Sequence, residues 1–402
     1  MVASQNAKPR AERDFAALGF AFTSIIVSVR FFKQFGVLGI LAYGAVGGFL
    51  MYLLARYATR PVAERIPRKS AAAIALVIAL AVGVVAVPLH ELINRNALRI
   101  PGFAYGNTDI DDALIVGLDA LLRGEHPYSV RTWAQSPLTP MPGALLLALP
   151  FHLVGAVVLQ NVFWLYILFL ALGRLAHERR YALVVWAAAL ILSPKVLEEQ
   201  VLQGADYAVN ATYIAIATLL LIQAARRRAR WPIQAIAAAA VGIAFSSRLN
   251  FLLLAPLVLS ALVRLSGWKR ALGLAGLAAA AFAAITAPFY FTSPGPFAPF
   301  HTLGRLAHAT PLLTMLGWLA VAGTGVITLW LAIRTDNSDV QTYLQNGFIA
   351  QLALVATQTA LTLPGHNAVL TWMYVQYSFF FFPFGFLYFG TRVIALAKAP
   401  DG

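Results

Sequence analysis

Long apolar runs alternate with short basic clusters along this chain, and a helix needs about 20 apolar residues to cross a bilayer. Segments near 15–34 and 36–55 predict a hairpin, with the basic N-terminus (Lys8, Arg10, Arg13) retained in its first helix. Arg56, Arg60, Arg65, Arg68 and Lys69 follow as the first strongly basic loop, which the positive-inside rule assigns to the cytoplasm. The third span, near 70–90, therefore leads outward. The run from Pro142 to Gly173 is too long for one crossing and is interrupted at Pro150, Phe151 and His152, which predicts a short outer half-helix and then a full span. Arg174, Arg179 and Arg180 mark the inside again. The next span ends at Ser193-Pro194, and an outer loop carries Lys195, Glu198, Glu199, Gln203 and Asp206 before the return to Arg226, Arg227, Arg228 and Arg230.

Residues 233–264 predict two shorter spans meeting on the outer side at Ser246-Ser-Arg-Leu-Asn250, with Arg264, Lys269 and Arg270 back inside. A span near 271–291 leads to a proline-rich outer loop, 293–308, that carries His301, Arg305 and His308. Spans near 311–334, 342–363 and 370–396 complete about twelve crossings, both termini inside. Arg30 and Lys33 at the outer tip of the first hairpin leave a second arrangement open, an interfacial pair of half-helices.

One stretch departs from this pattern. From Asn107 to Tyr128 the chain is acidic, and Ile110, Ala113, Leu114, Gly117, Leu118, Leu121 and Leu122 fall on one helical face. This predicts an amphipathic outer-face helix with Asp112, Asp119 and Arg123 off the apolar stripe, and with Asp119 and Arg123 at pairing distance. Thr108 or Asp109 can cap its first turn, where Asp109, Asp111 and Asp112 meet the positive end of the helix dipole; Gly124 and Pro127 end it.

Composition sharpens the class. The 402 residues are 60% hydrophobic and 11% charged, which predicts an all-α, polytopic transmembrane bundle in a single integral-membrane domain: a hairpin over 15–69, a core over 70–270 with an outer loop at 91–141, and a C-terminal bundle over 271–402. The net charge of +14 sits in the loops, so membrane orientation explains it and nucleic acid is not an expected partner. Without cysteine there is no disulfide, thiolate nucleophile or cysteine metal site. No internal repeat stands out, and Walker, dinucleotide and HExxH patterns are missing.

The candidate chemistry lies on the outer side. Carboxylates at a lipid–water boundary, with a basic residue near them, suit transfer of a group from a lipid-borne donor to a hydroxyl: a carboxylate takes the acceptor proton and Arg or His holds a departing phosphate. Arg248, between Phe245 and Phe251, is costly in an apolar span unless it is paired or snorkels outward. Glu198, Glu199 and Asp206 are read as solvated or paired with Lys195. Trp372, Tyr374 and Tyr377 suit an interfacial belt or a sugar platform, and His90, His126, His152 and His366 suit hydrogen-bonded structure. Asp109-Ile-Asp111 has no evident third ligand, so neither metal nor cofactor is expected.

These residues resemble a family. Asp109 through Asp112, then a helix, then Gly124-Glu-His-Pro-Tyr128 and the proline-rich Pro137-Leu-Thr-Pro-Met-Pro142 are similar to the outward loop of GT-C class membrane glycosyltransferases, in particular the bacterial polyprenyl-phosphate-mannose-dependent branch. Gln203-Gly204 resembles a Gly-Gln element of that branch in inverted order. Gly242-Ile-Ala-Phe-Ser-Ser-Arg248 resembles its small-residue helix ending in a basic side chain. The resemblance covers about residues 70–270. It implies a GT-C-like fold in the inner membrane, its active site facing outward, moving a hexose, most simply mannose, from a polyprenyl-phosphate sugar donor to a glycolipid or glycan acceptor with inversion. It also implies Asp109 as general base with Asp111 or Asp112 in reserve, Arg248 with His301 or Arg305 on the phosphate, and Tyr128, Gln203 and Asp206 against substrate. A transporter or flippase of lipid-linked sugars, and a noncatalytic scaffold, are the competing readings.

Overall fold

With no water to satisfy backbone N–H and C=O groups inside lipid, apolar runs must bond within themselves, and they do so as helices. The computed structural model describes residues 3–97, 109–293, 295, 297–300, 311–362 and 373–399, and these are helical apart from connections and one isolated antiparallel bridge, Arg131–Pro137. In order the helices are α1 (Ala3–Ile26), α2 (Gly36–Leu53), α3 (Thr59–Glu64), α4 (Ala71–Ala97), α5 (Ile110–Leu122), α6 (Pro142–Leu153), α7 (Leu159–Leu175), α8 (Arg179–Leu192), α9 (Tyr207–Arg226), α10 (Trp231–Phe245), α11 (Ala255–Ser266), α12 (Trp268–Phe291), α13 (Pro311–Arg334), α14 (Val340–Thr362) and α15 (Phe382–Lys398).

Among the described residues six segments are long and apolar enough to cross a membrane: Gly36–Glu64, Ala71–Leu92, Tyr207–Arg226, Leu249–Ser266, Trp268–Phe291 and Thr314–Arg334. Arg179–Leu192 and Val196–Leu202 add a seventh if this pair, bent by 89°, is one span. Helices of this length and hydropathy mark a membrane protein. The predicted hairpin is formed by α1 packing on α2, which continues through a wider turn at Leu54–Ala58 into α3.

The basic loops lie together. Arg60 and Glu64 of α3 act electrostatically on Tyr181 at the start of α8, Arg68 acts on Glu178, and Arg226 and Arg264 act on Asp336. At the other end of the bundle the Ser193 hydroxyl donates to the Ser24 carbonyl and the Lys195 N–H donates to the Ser28 hydroxyl at 3.1 Å.

Most of α9 is buried, whereas α12 exposes most of its length, so α9 is the inner post. It packs against α7, α10, α11 and α15. Two glycines set the spacing of the neighbouring helices. A Cβ on Gly242 of α10 would stand 2.1 Å from the Ala278 carbonyl oxygen of α12, and one on Gly143 of α6 would stand 2.3 Å from the Ile243 oxygen. Backbone atoms cannot yield as a flexible side chain can, so Gly242→Ala must push α10 and α12 apart. We expect it to cost about 1–3 kcal/mol, the range for overpacking, and to lower the unfolding temperature in detergent.

The interruption in 142–173 falls later than Pro150. Pro150 lies within α6, which runs on to Leu153, and the chain turns at Gly155 with φ +74°. Proline can sit in a short helix whose neighbours satisfy the freed carbonyl, whereas the left-handed turn requires glycine.

Candidate functional site

The amphipathic helix forms as its spacing predicts. Leu114 and Leu118 of α5 are buried with Tyr128, Leu138, Leu145 and Phe297 in a small core separate from the main one. Its apolar face meets α6 rather than lipid, and Gly117 permits close approach, since a Cβ there would meet a Leu138 methyl at 2.7 Å.

Burying that face turns the three acids of the first turn in different directions. Asp109 occupies the N-cap position, but its carboxylate does not cap the helix; it accepts from the Thr132 hydroxyl at 2.9 Å. Asp112 accepts from the Trp133 N–H at 2.7 Å. Both acids thus hold the 132–133 loop over the helix start, which replaces the capping role expected for Asp109. Asp111 faces inward, 2% exposed, and pairs with His90 Nε2 of α4 at 2.9 Å. The predicted Asp119–Arg123 pair is also replaced. Asp119 meets His152 of α6 at 2.9 Å, and Arg123, at the helix end, forms a two-pronged bond with Glu125 at 3.0 Å for each prong.

Burial pushes Asp112 above the usual carboxylate range, aided by the charges of Asp111 and Asp109, although the Trp133 N–H opposes the shift. The folded state therefore favours protonated Asp112, so this stability is present below its ordinary value of 3.8 and is lost as pH rises through the raised value. Asp112→Asn removes the charge and keeps an oxygen for Trp133. Its unfolding temperature should exceed that of the wild type at about pH 7 and converge with it at about pH 4; equal differences at both pH values would refute the assignment.

Asp111 leads to the second half of the site through Gly204. This residue has φ +67°, and a Cβ on it would lie 3.1 Å from Asp111 Cβ and 3.3 Å from His90 Nε2. Two residues on, Asp206, 2% exposed, takes both its oxygens to Arg248 Nη2 at 2.5 and 2.7 Å and accepts from Asn210 Nδ2 at 2.7 Å. Asp206 was expected to be solvated or paired with Lys195. Lys195 instead binds Glu198 at 2.6 Å, and Gln203 also donates to Glu198, because the chain turns inward only at Gly204.

The Arg248 side chain, 11% exposed, lies over the Tyr207 ring at 5.2 Å, and its Nη1 donates to Thr139 Oγ1 at 3.3 Å. Next to Thr139, the Pro140 carbonyl accepts from the buried Tyr128 hydroxyl at 3.0 Å. Tyr377 packs edge-on against Tyr207 at 5.3 Å, inside the site rather than on a belt. An apolar cavity of about 190 Å³ between α9, α10, α11 and α12 reaches Phe245 and Leu252, which flank Arg248 in sequence. His90 and Asp111 thus lie against the Gly204 turn, two residues before Asp206; Asp206, Arg248 and Thr139 are bonded in series, and Tyr128 is held by the neighbouring Pro140.

His301, Arg305 and His308 lie outside the described residues, as do Thr108, His366 and Trp372. Among the described residues no three acidic or histidine side chains converge as a metal ion would require. Sequence reasoning read His90 as hydrogen-bonded structure, as its bond to Asp111 shows, and missed Thr139 and Asn210 as partners. Only Thr139 carried a signal, its place in the proline-rich segment. No known protein family, curated protein or solved structure matches this chain.

Proposed function

We propose that the chain is an integral-membrane glycosyltransferase of GT-C-like architecture that moves a hexose, most simply mannose, from a polyprenyl-phosphate donor to a hydroxyl of a glycolipid or glycan. The observation that carries this reading is the approach of buried Asp111, which shares the start of α5 with Asp109 and Asp112, to the Gly204 turn two residues before Asp206 and its buried partner Arg248, at the end of the bundle opposite the basic loops. In this reading that end faces outward from the inner membrane, about twelve spans cross it, and both termini are cytoplasmic.

The reaction is a single displacement. Asp109 accepts the proton of the acceptor hydroxyl, the oxygen attacks the anomeric carbon from the face opposite the phosphate, and the bond from that carbon to the phosphate oxygen breaks with its electron pair leaving on polyprenyl phosphate. Asp109 is half-buried and bonded to one hydroxyl, Thr132, among the described residues, which suits a group that must meet substrate. Asp111, tied to His90, and Asp112, with its raised proton affinity, stand in reserve. Asp206 holds Arg248 by Nη2 and Thr139 takes one Nη1 proton, so the Nε proton and the second Nη1 proton serve the departing phosphate. The apolar cavity beside Phe245 and Leu252 suits the first isoprene units of the donor; in this reading Gln203 and Tyr128 border the substrate, Tyr128 as a buried ring whose hydroxyl is held by the Pro140 carbonyl. No cofactor enters this scheme.

The test is transfer of radiolabelled mannose from polyprenyl-phosphate mannose to membrane glycolipids by the purified chain in nanodiscs, with Asp109→Asn, Asp111→Asn and Asp112→Asn alongside. Failure of the wild type with this donor and with other polyprenyl-phosphate hexoses would discard the enzyme reading.

A further inference from the structure

At the basic end of the bundle, α1, the turn from α2 into α3, and the last turns of α15 enclose a cavity of about 360 Å³. Arg13, Arg56, Arg60 and Tyr57 form its polar wall; Val393 and Leu396 are part of its apolar wall; no acidic side chain lines it among the described residues. Its arginines are held in place from outside. Asp14 binds Arg56 Nε at 3.0 Å and accepts from the Tyr52 hydroxyl, Glu64 binds Arg60 Nε at 3.0 Å, and Arg56 lies 4.9 Å from the Tyr57 ring. These carboxylates orient the Arg56 and Arg60 guanidinium groups, so the cavity is walled by two ion-paired arginines together with Arg13.

The cavity stands near the end of the Gly36–Glu64 segment, which is long and apolar enough to cross a membrane, and a crossing that ends there would bring the cavity to the level of lipid headgroups. Tyr57 is exposed there, as expected of an aromatic ring at a membrane interface. Phe15, Leu18 and Phe22 form an exposed apolar stripe on the face of α1 away from Arg13, so the apolar surface that the hollow itself offers is Val393, Leu396 and Ala397. A cationic hollow with its own apolar wall has the chemistry of a phosphodiester headgroup and the first methylenes of its acyl chains; a free phosphate would need only the arginines.

We propose that this cavity binds the headgroup of an anionic phospholipid, with Arg13, Arg56 and Arg60 on the phosphate and the start of an acyl chain against Val393 and Leu396. The site is independent of the carboxylate cluster at the opposite end.

The experiment titrates the full chain in detergent with dioleoyl phosphatidylglycerol, dioleoyl phosphatidylcholine or inorganic pyrophosphate, counting bound molecules by native mass spectrometry. The wild type should retain phosphatidylglycerol at least about 10-fold more tightly than phosphatidylcholine, and Arg13→Gln with Arg60→Gln should erase about 30-fold of affinity, at roughly one surface-charge contribution per arginine. Arg60→Gln alone should lose part of it; Arg60 and Glu64 are both exposed, so that variant should fold and give a readout even if the double variant does not. Arg264→Gln, an exposed arginine at the same end, should leave binding intact. Equal retention of the two lipids, unchanged phosphatidylglycerol binding in Arg60→Gln, or pyrophosphate binding that depends on Arg13 and Arg60 without lipid preference would each overturn the proposal.

Discussion

Asp109→Asn is expected to lower mannosyl transfer by about 10²–10⁴-fold, the usual contribution of a positioned general base. Asparagine matches aspartate in size and can accept the Thr132 hydroxyl bond, so the 132–133 loop should hold and the unfolding temperature should change little. A loss of transfer in a folded protein therefore reports chemistry. The companion variants separate the three acids. Asp111 is buried against His90, and its replacement disturbs both rate and fold; Asp112 contributes through a backbone bond that asparagine preserves. Undiminished transfer by Asp109→Asn with loss in Asp111→Asn would move the base to the His90-linked carboxylate. Undiminished transfer by all three would remove the acids from the reaction and favour a transport role for the outer loop.

Arg248→Ala is expected to cost about 3–5 kcal/mol of stability, since it leaves a carboxylate buried without its counter-charge. Asp206 is 2% exposed and would keep only its Asn210 bond among the described partners. Asp206→Leu combined with Arg248→Met should recover most of that stability, because apolar residues of similar volume often replace a buried pair without net cost. It should not recover transfer, because the phosphate ligand is gone. Unfolding temperature and transfer rate, measured on single and double variants, separate the two roles of the pair. Normal stability in Arg248→Ala would refute the structural role, and normal transfer by the double variant would refute the phosphate role.

The helical architecture was legible along the chain because hydropathy and helix formation in lipid answer to the same requirement, satisfaction of the backbone without water. For that reason α4, α9, α12 and α13 lie close to the predicted spans, and the predicted stripe of α5 is buried at Ala113, Leu114, Gly117 and Leu118 but gives out at Leu122, which is exposed at the helix end. The residue pairings were not legible to the same degree. Asp119 chose His152 over Arg123, and Asp206 chose Arg248, 42 residues away, over nearby Lys195. Sequence distance ranks neighbours on one helix, but packing between helices decides which donor reaches a carboxylate, and a buried one such as Asp206 must have one.

By itself the sequence determined that the chain folds as helices, where its basic loops gather, and that an acidic amphipathic helix interrupts them, since each follows from local periodicity and from the cost of placing charge in lipid. Only the tertiary structure decided that Asp109 and Asp112 clasp the 132–133 loop, that Asp111 turns inward to His90, and that it lies against the Gly204 turn, two residues before Asp206 and its partner Arg248. Those choices depend on how closely helices approach, and the approach is set by Gly143, Gly242 and the left-handed turn at Gly204, through space that no linear spacing encodes.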